Sequence, residues 1–330
     1  MNGMTAFDVK ELSKKSLMSI PGVIGIGVAH GSEQRINIYV KEKTPEILSQ
    51  LPLALSGISI NVIETGEIRS LQILAEQLPR ALLVEREGKI RPMPCGVSIG
   101  NLSISAGTAG AIARDSVTGR RVILSNSHVF VPNPSLPTAD ETRISQPGPF
   151  DGGGVNDVIA NLTRYVRLST TGDNIADCAI ATPINDVDIS DEIMGIGTIA
   201  GVREVQVGEM LQKSGRTSGL TSAPVVDISA DIKVSYNEFE ATFTDVIITD
   251  YMADPGDSGS ATLDMNRNIV GLTFAGSNYV TAHIKIKNVM DSLNVSFAGG
   301  GPVQMGGGLI MMLFALGLLV SVLLGKGPKA

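Results

Sequence analysis

Tryptophan is absent from this 330-residue chain, and aromatic residues make up only 4% of it. A protein that stacks nucleobases on aromatic platforms would need more. Lysine and arginine nowhere cluster, and the formal net charge is −7, so a nucleic-acid partner is not expected. Cysteine is nearly missing. Cys95 and Cys178 are too few and too far apart for a disulfide framework or a thiolate metal site, and they read as small buried hydrophobes. The histidines, His30, His128 and His283, do not cluster, so no metal centre is expected. The first twenty residues, MNGMTAFDVKELSKKSLMSI, contain no apolar run of signal-peptide length. Two glycine patterns, Gly25 to Gly31 and Gly195 to Gly201, lack the spacing and the following helix of a dinucleotide fingerprint.

What is present divides the chain. Residues 1–90 read as a small α+β segment, with helical spacing over Phe7–Ile20 and strands over Val23–Ala29, Arg35–Val40 and Ile58–Ile63. A helix is expected over Leu71–Glu85, broken at Pro79. From 91 to 297, short apolar runs recur between Gly, Pro, Asn and Asp, the pattern of an all-β barrel or sandwich. These runs include Arg121–Leu124, Val158–Val166, Cys178–Thr182, Ile269–Phe274 and Val280–Ile284, and a closing helix is expected over Lys287–Leu293. Residues 298–308 form a Gly-rich linker. Residues 309–325 follow without a charge, long enough with the preceding glycines to cross a bilayer as a transmembrane helix. The expected location is therefore the membrane, single-pass at the C-terminus. With no export signal, the remainder is expected to face the cytoplasm, although Lys326 and Lys329 favour that side too.

The chemistry is carried by three residues. Ser258 lies in Asp254-Pro-Gly-Asp-Ser-Gly-Ser260, where flanking glycines allow backbone N–H groups to converge on a developing oxyanion. The same string also suits a tight turn between strands. A serine hydroxyl needs a base, and His128 follows the apolar run Val122–Leu124 at a strand end. Asp177 opens another apolar run, where a carboxylate is costly without a partner, and Asp151, Asp157 and Asp173 lie near it in sequence. The order His, Asp, Ser is that of chymotrypsin-like enzymes; an α/β-hydrolase would place its histidine after the serine.

With these residues in view, the chain resembles a trypsin-like serine protease of chymotrypsin fold, and more narrowly the bacterial proteins related to plant Narrow-leaf proteins. The resemblance is carried by Arg91-Pro-Met-Pro-Cys-Gly-Val-Ser-Ile-Gly100, Ala106-Gly-Thr-Ala-Gly-Ala111, Leu124-Ser-Asn-Ser-His128-Val and Gln146-Pro-Gly-Pro-Phe-Asp-Gly-Gly153. It continues in Asp177-Cys-Ala-Ile-Ala, Lys213-Ser-Gly-Arg-Thr-Ser-Gly-Leu-Thr221 and Gly256-Asp-Ser-Gly-Ser260. It covers about 90–297, and Pro21 to Gly66 also looks like the region preceding the protease in those proteins. It implies a mainly β, double-barrel protease domain over 91–297 with the triad in the cleft between two six-stranded barrels. It implies a serine endopeptidase acting on a protein or peptide substrate through an acyl-enzyme, without a cofactor. His128 would be the base, Asp177 its orienting acid and Ser258 the nucleophile, with the N–H groups of Gly256 and Ser258 as oxyanion hole. The substrate pocket would take Met252 as floor and Phe274, Ala275 and Gly276 as wall, which favours apolar side chains. Glutamate is the competing choice, if His283 turns toward the pocket. The competing function is a membrane-tethered pseudo-protease that binds a peptide or partner without cutting.

Overall fold

The computed structural model describes residues 4–29, 34–72, 84–104, 106–137 and 141–297. The expected linker and transmembrane helix, His30, and most of the helix expected over Leu71–Glu85 lie outside them; the described end of that helix is one turn, Val84–Glu87.

Two β units dominate. In the C-terminal one, Met210–Gly215, Gly219–Ser235, Glu240–Asp250, Val280–Lys285, Asn268–Gly276 and Ala261–Asp264 are paired antiparallel in that order. Ala261–Asp264 pairs back onto Met210–Gly215, so the ladder closes on itself. Closure leaves unpaired edge only at strand ends, such as Asn268–Gly276 beyond Leu272, where its pairing with Ala261–Asp264 stops. Its interior is apolar, with Phe243, Phe274, Leu272, Ala282 and Ile284 buried in one cluster.

The N-terminal unit is a sheet in the order Gly107–Thr108, Ser98–Asn101, Arg143–Ser145, Val158–Tyr165, Ala179–Pro183, Arg121–Ser125, Ala111–Asp115, Val295–Ser296. Gly107–Thr108 and Ala111–Asp115 are six pairings apart, yet only Ala109 and Gly110 connect them. Six strand spacings of about 4.8 Å would separate them in a flat sheet by about 29 Å, several times what that connection can reach. The sheet is therefore rolled. Its inner side carries Ile99, Ile123, Phe130, Ile144 and Ala181.

The first 72 residues do not stand apart as their sequence texture suggests. A helix, Ala6–Met18, starts in a capping box between Thr5 and Asp8 and covers the strands Val23–Ala29 and Arg35–Val40. Val23–Ala29 pairs antiparallel with the long strand Gly219–Ser235 through Gly25↔Ile232, which joins this layer to the C-terminal barrel. The glycines there serve close approach. A Cβ on Gly27 would lie 1.9 Å from Asp227 Oδ2, and one on Gly25 would lie 2.7 Å from the Asp231 carbonyl. Polar links reinforce the joint: Tyr39 Oη donates to Asp227 (2.8 Å), Asn37 Nδ2 donates to it (3.1 Å), and Lys10 and Lys14 each pair with Asp231 at 3.1 Å. The strand Gly219–Ser235 escapes the sequence pattern for this reason. Its polar residues Asp227 and Asp231 look like loop, but are buried against partners from the first forty residues.

Candidate active site

Three segments from the two β units meet in one place. His128 sits on a one-turn helix, Ser127–Phe130, that directly follows the strand Arg121–Ser125. Ser127 Oγ anchors this turn by donating to the carbonyls of Val166 and Cys178, both at 2.8 Å. Asp177 lies just before the strand Ala179–Pro183, and Asn126 Nδ2 donates to its carbonyl at 2.6 Å. Ser258 lies in the turn between Glu240–Asp250 and Ala261–Asp264 of the other unit. His128 Nδ1 is 2.5 Å from Asp177 Oδ2, and His128 Nε2 is 2.7 Å from Ser258 Oγ. All three residues are buried. Of the carboxylates near Asp177 in sequence, Asp151 pairs with Arg216, Asp157 with Lys89 and Asp173 with Lys14.

Asp177 has two further partners. The His128 backbone N–H donates to Oδ1 (3.3 Å), and Tyr236 Oη donates to Oδ2 (2.8 Å). The Tyr236 ring meets the imidazole edge-on, with centroids 5.7 Å apart. A carboxylate bonded on both oxygens fixes the imidazole with Nε2 facing the serine. Tyr236 went unseen in the sequence because nothing in Val234-Ser-Tyr236 marks it.

The serine turn is held by its own geometry. Gly256 (φ +102) and Gly259 (φ +92) adopt left-handed backbone, open to glycine at no steric cost. A Cβ on Gly259 would meet Ser125 Oγ at 2.1 Å and the Thr108 carbonyl at 2.5 Å. Asp257 turns inward and pairs with Lys213 at 2.9 Å, both side chains fully buried. Its carboxylate also accepts from the backbone N–H groups of Thr217, Ser218 and Asp254 and from the Ser218 hydroxyl. Burial lowers the Lys213 pKa, and the neighbouring Asp257 opposes that shift. Thr108, from the other unit, donates its N–H to the Ser258 carbonyl (2.8 Å) and its hydroxyl to the Gly256 carbonyl (2.8 Å). Ser260 donates to the Asp257 carbonyl at 2.6 Å.

The Gly256 N–H, expected in an oxyanion hole, points at a carbonyl of this same chain: it donates to Leu71 at 2.7 Å. Leu71 ends a short extended segment lying against the strand Asn268–Gly276.

The pocket residues differ from expectation in two respects. Phe274 turns its ring into the barrel core, 4.8 Å from Phe243, and offers the cleft only its backbone. The side chains of a strand point to its faces, while its edge presents backbone groups. His283 is fully buried, its ring nitrogens within 3.0 Å of the hydroxyls of Thr249, Thr262 and Thr273. Burial pushes its imidazole down to about 3. A neutral ring with both nitrogens engaged offers no charge to a glutamate side chain. Met252 is buried and uncharged, as are Ala275 and its glycine neighbour. Cys95 and Cys178 are buried free thiols, and burial pushes Cys95 up to about 12. Among the described residues, no group of His, Cys, Asp and Glu is placed to hold a metal ion.

No protein-family profile and no curated protein matches the sequence. Solved structures do resemble the chain. A glutamic acid specific serine protease, described as using a histidine triad in substrate binding, is 17% identical with a TM-score of 0.48; the match covers 62% of this chain and 100% of that one. Thermobifida fusca Protease A is 17% identical (TM-score 0.46, 62% and 97%), and Cellulomonas bogoriensis chymotrypsin is 18% identical (TM-score 0.46, 62% and 98%). These are likenesses of chain path and assign no role to any residue of this protein.

Proposed function

We propose that this chain is a serine endopeptidase that cuts peptide bonds through an acyl-enzyme. Ser258 is the nucleophile, His128 the general base and then acid, and Asp177 the group that orients and charge-stabilises the imidazole. The backbone N–H groups of Gly256 and Ser258 hold the oxyanion, a contribution of roughly 3–4 kcal/mol per donor. The observation that carries this reading is one imidazole hydrogen-bonded on one side to a buried carboxylate and on the other to a serine hydroxyl, at 2.5 and 2.7 Å, with the serine supplied by a separate β unit. The narrower kinship, with bacterial relatives of Narrow-leaf proteins, is supported by the motif strings of the sequence alone.

The substrate is a protein or peptide with an apolar residue before the cut. In this reading Met252, Ala275 and Gly276 wall the pocket; a cation set against them would lose hydration without gaining a partner from them, while an apolar side chain gains about 25 cal/mol per Å² buried. Residues 309–325, outside the described residues, cross a membrane in this reading, with the protease domain on the cytoplasmic side and residues 298–308 as linker. Among the described residues no helix is long and apolar enough to span a bilayer.

Labelling by a fluorophosphonate, followed by peptide turnover, tests the core of the proposal. Ser258→Ala should abolish labelling and lower turnover by about 10⁴-fold. A folded wild-type protein that neither labels nor cuts is instead the pseudo-protease. Deleting 309–330 should move the protein from membranes to the soluble fraction; equal partitioning of both forms sinks the anchor.

A further inference from the structure

We propose that the protein is its own first substrate and cleaves itself between Leu71 and Gln72, an inference that rests on the endopeptidase reading above. Residues Arg69–Ser70 form a short strand wedged between two barrel strands. On one side it pairs antiparallel with Ala275 and Gly276; on the other Arg69 pairs with Ser235. The Leu71 N–H donates to the Phe274 carbonyl at 3.1 Å, and the Leu71 carbonyl accepts from the Gly256 N–H at 2.7 Å. This is how an extended peptide adds to a sheet edge, with backbone bonds for affinity and a pocket for one side chain. It also brings one carbonyl, that of Leu71, to a proposed oxyanion donor two residues before Ser258.

The side chains agree with that register. Leu71 is buried, and a Cβ on Gly276 would lie 3.5 Å from its Cδ2, so the apolar side chain lies against the wall assigned to the specificity pocket. Upstream, Ile68 accepts from the Ser235 N–H at 3.0 Å, and Glu67 accepts from the Ser235 hydroxyl at 2.8 Å. Downstream, Gln72 lines a cavity of about 280 Å³ together with His128, and its Oε1 accepts from Asn237 at 3.3 Å. The leaving side of the bond therefore opens into the cavity that the general acid also lines.

The chemistry closes with the groups present and water. Ser258 Oγ bonds to the Leu71 carbonyl carbon as its proton passes to His128 Nε2. The oxyanion collapses, the C–N bond to Gln72 breaks, and Nε2–H protonates the departing amine. Water then adds to the Leu71 ester, giving its proton to His128. The C–Oγ bond breaks and Ser258 regains its hydrogen. The products are a Leu71 carboxylate and a new amino terminus at Gln72. The joint described above, from Gly25↔Ile232 to the Lys10 and Lys14 pairs, leaves the two pieces associated.

Intact-mass and N-terminal analysis of freshly purified full-length chain tests this. Wild type should convert to a piece ending at Leu71 and one beginning at Gln72, which co-elute under native conditions, and Ser258→Ala should remain whole. The half-time should be independent of dilution; a half-time that lengthens in proportion to dilution overturns cutting within the chain. Cleavage at this bond in Ser258→Ala overturns the proposal, because another protease then made it. Leu71→Pro removes the N–H that donates to Phe274, and Leu71→Asp buries a charge; both should keep the chain whole and leave Ser258 reactive to fluorophosphonate. If either variant labels while wild type stays uncut at Leu71–Gln72, self-cleavage is wrong and the endopeptidase reading stands. If wild type stays uncut and neither variant, folded, labels, the endopeptidase reading itself fails.

Discussion

At the scale of the residue, the candidate site differs from a bare triad by Tyr236. A hydrogen bond to a charged group is worth about 1.5–3 kcal/mol, and Asp177 keeps the His128 backbone N–H and ring when the tyrosine hydroxyl is removed. Tyr236→Phe should therefore lower kcat by roughly tenfold while leaving KM near wild type. In the proposed mechanism the hydroxyl orients the base and does not touch substrate, so a rise in KM with unchanged kcat would refute a positioning role. His283 yields a second prediction. Burial takes its pKa from 6.5 to about 3, so the unfolded chain binds a proton that the folded one refuses. Its stabilising contribution is complete above about pH 6.5 and is lost as pH falls toward 3, about 5 kcal/mol at most. Urea unfolding of His283→Gln should show a smaller loss of stability between pH 7 and pH 4 than wild type. Parallel curves would show that the ring does not govern the acid limb.

At the scale of the element, the serine turn depends on a buried ion pair. Lys213 comes from one strand of the C-terminal barrel and Asp257 from the turn itself. The pair is costly to desolvate, and its value lies in direction: Asp257 faces inward, so that Gly256 and Ser258 face the cleft. Removing one partner from such a pair leaves an uncompensated buried charge, a loss of about 3–5 kcal/mol. Lys213→Met should lower unfolding stability by that amount and weaken labelling of Ser258 together with it. A variant as stable as wild type would mean that the Asp257 carboxylate is satisfied by the N–H groups of Thr217, Ser218 and Asp254 alone.

At the scale of the whole molecule, the first seventy residues are part of the barrel's support. Without them the strand Gly219–Ser235 loses its partner Val23–Ala29. Asp227 loses Tyr39 and Asn37, and Asp231 loses Lys10 and Lys14. Two buried carboxylates would then lack these partners, beside an uncovered strand edge. A chain beginning at Val84 should accumulate as insoluble protein, and co-expression of residues 1–71 should restore solubility and a single cooperative unfolding transition. A truncated chain that is soluble and unfolds like the full one would show that the N-terminal layer is an appendage. Two pieces held by this joint are also what self-cleavage would leave behind.

Local chemistry made part of this legible in advance. Gly-flanked Ser258, His128 after an apolar run and Asp177 before another carry their signal within a few residues, and most strands from 111 to 285 follow apolar runs bounded by turn residues, as does the closing helix Ile286–Leu293. The sequence by itself determined residue types, their order and the strand texture, because these depend on neighbours along the chain. The tertiary structure alone decided which partners meet across long separations. It paired Tyr236 with Asp177 and Lys213 with Asp257, turned the Phe274 ring into the core, engaged both nitrogens of His283 with threonines, and laid Leu71 against Gly256. None of these is periodic or local: each is set by barrel closure and strand register, which bring together residues that share no pattern along the chain.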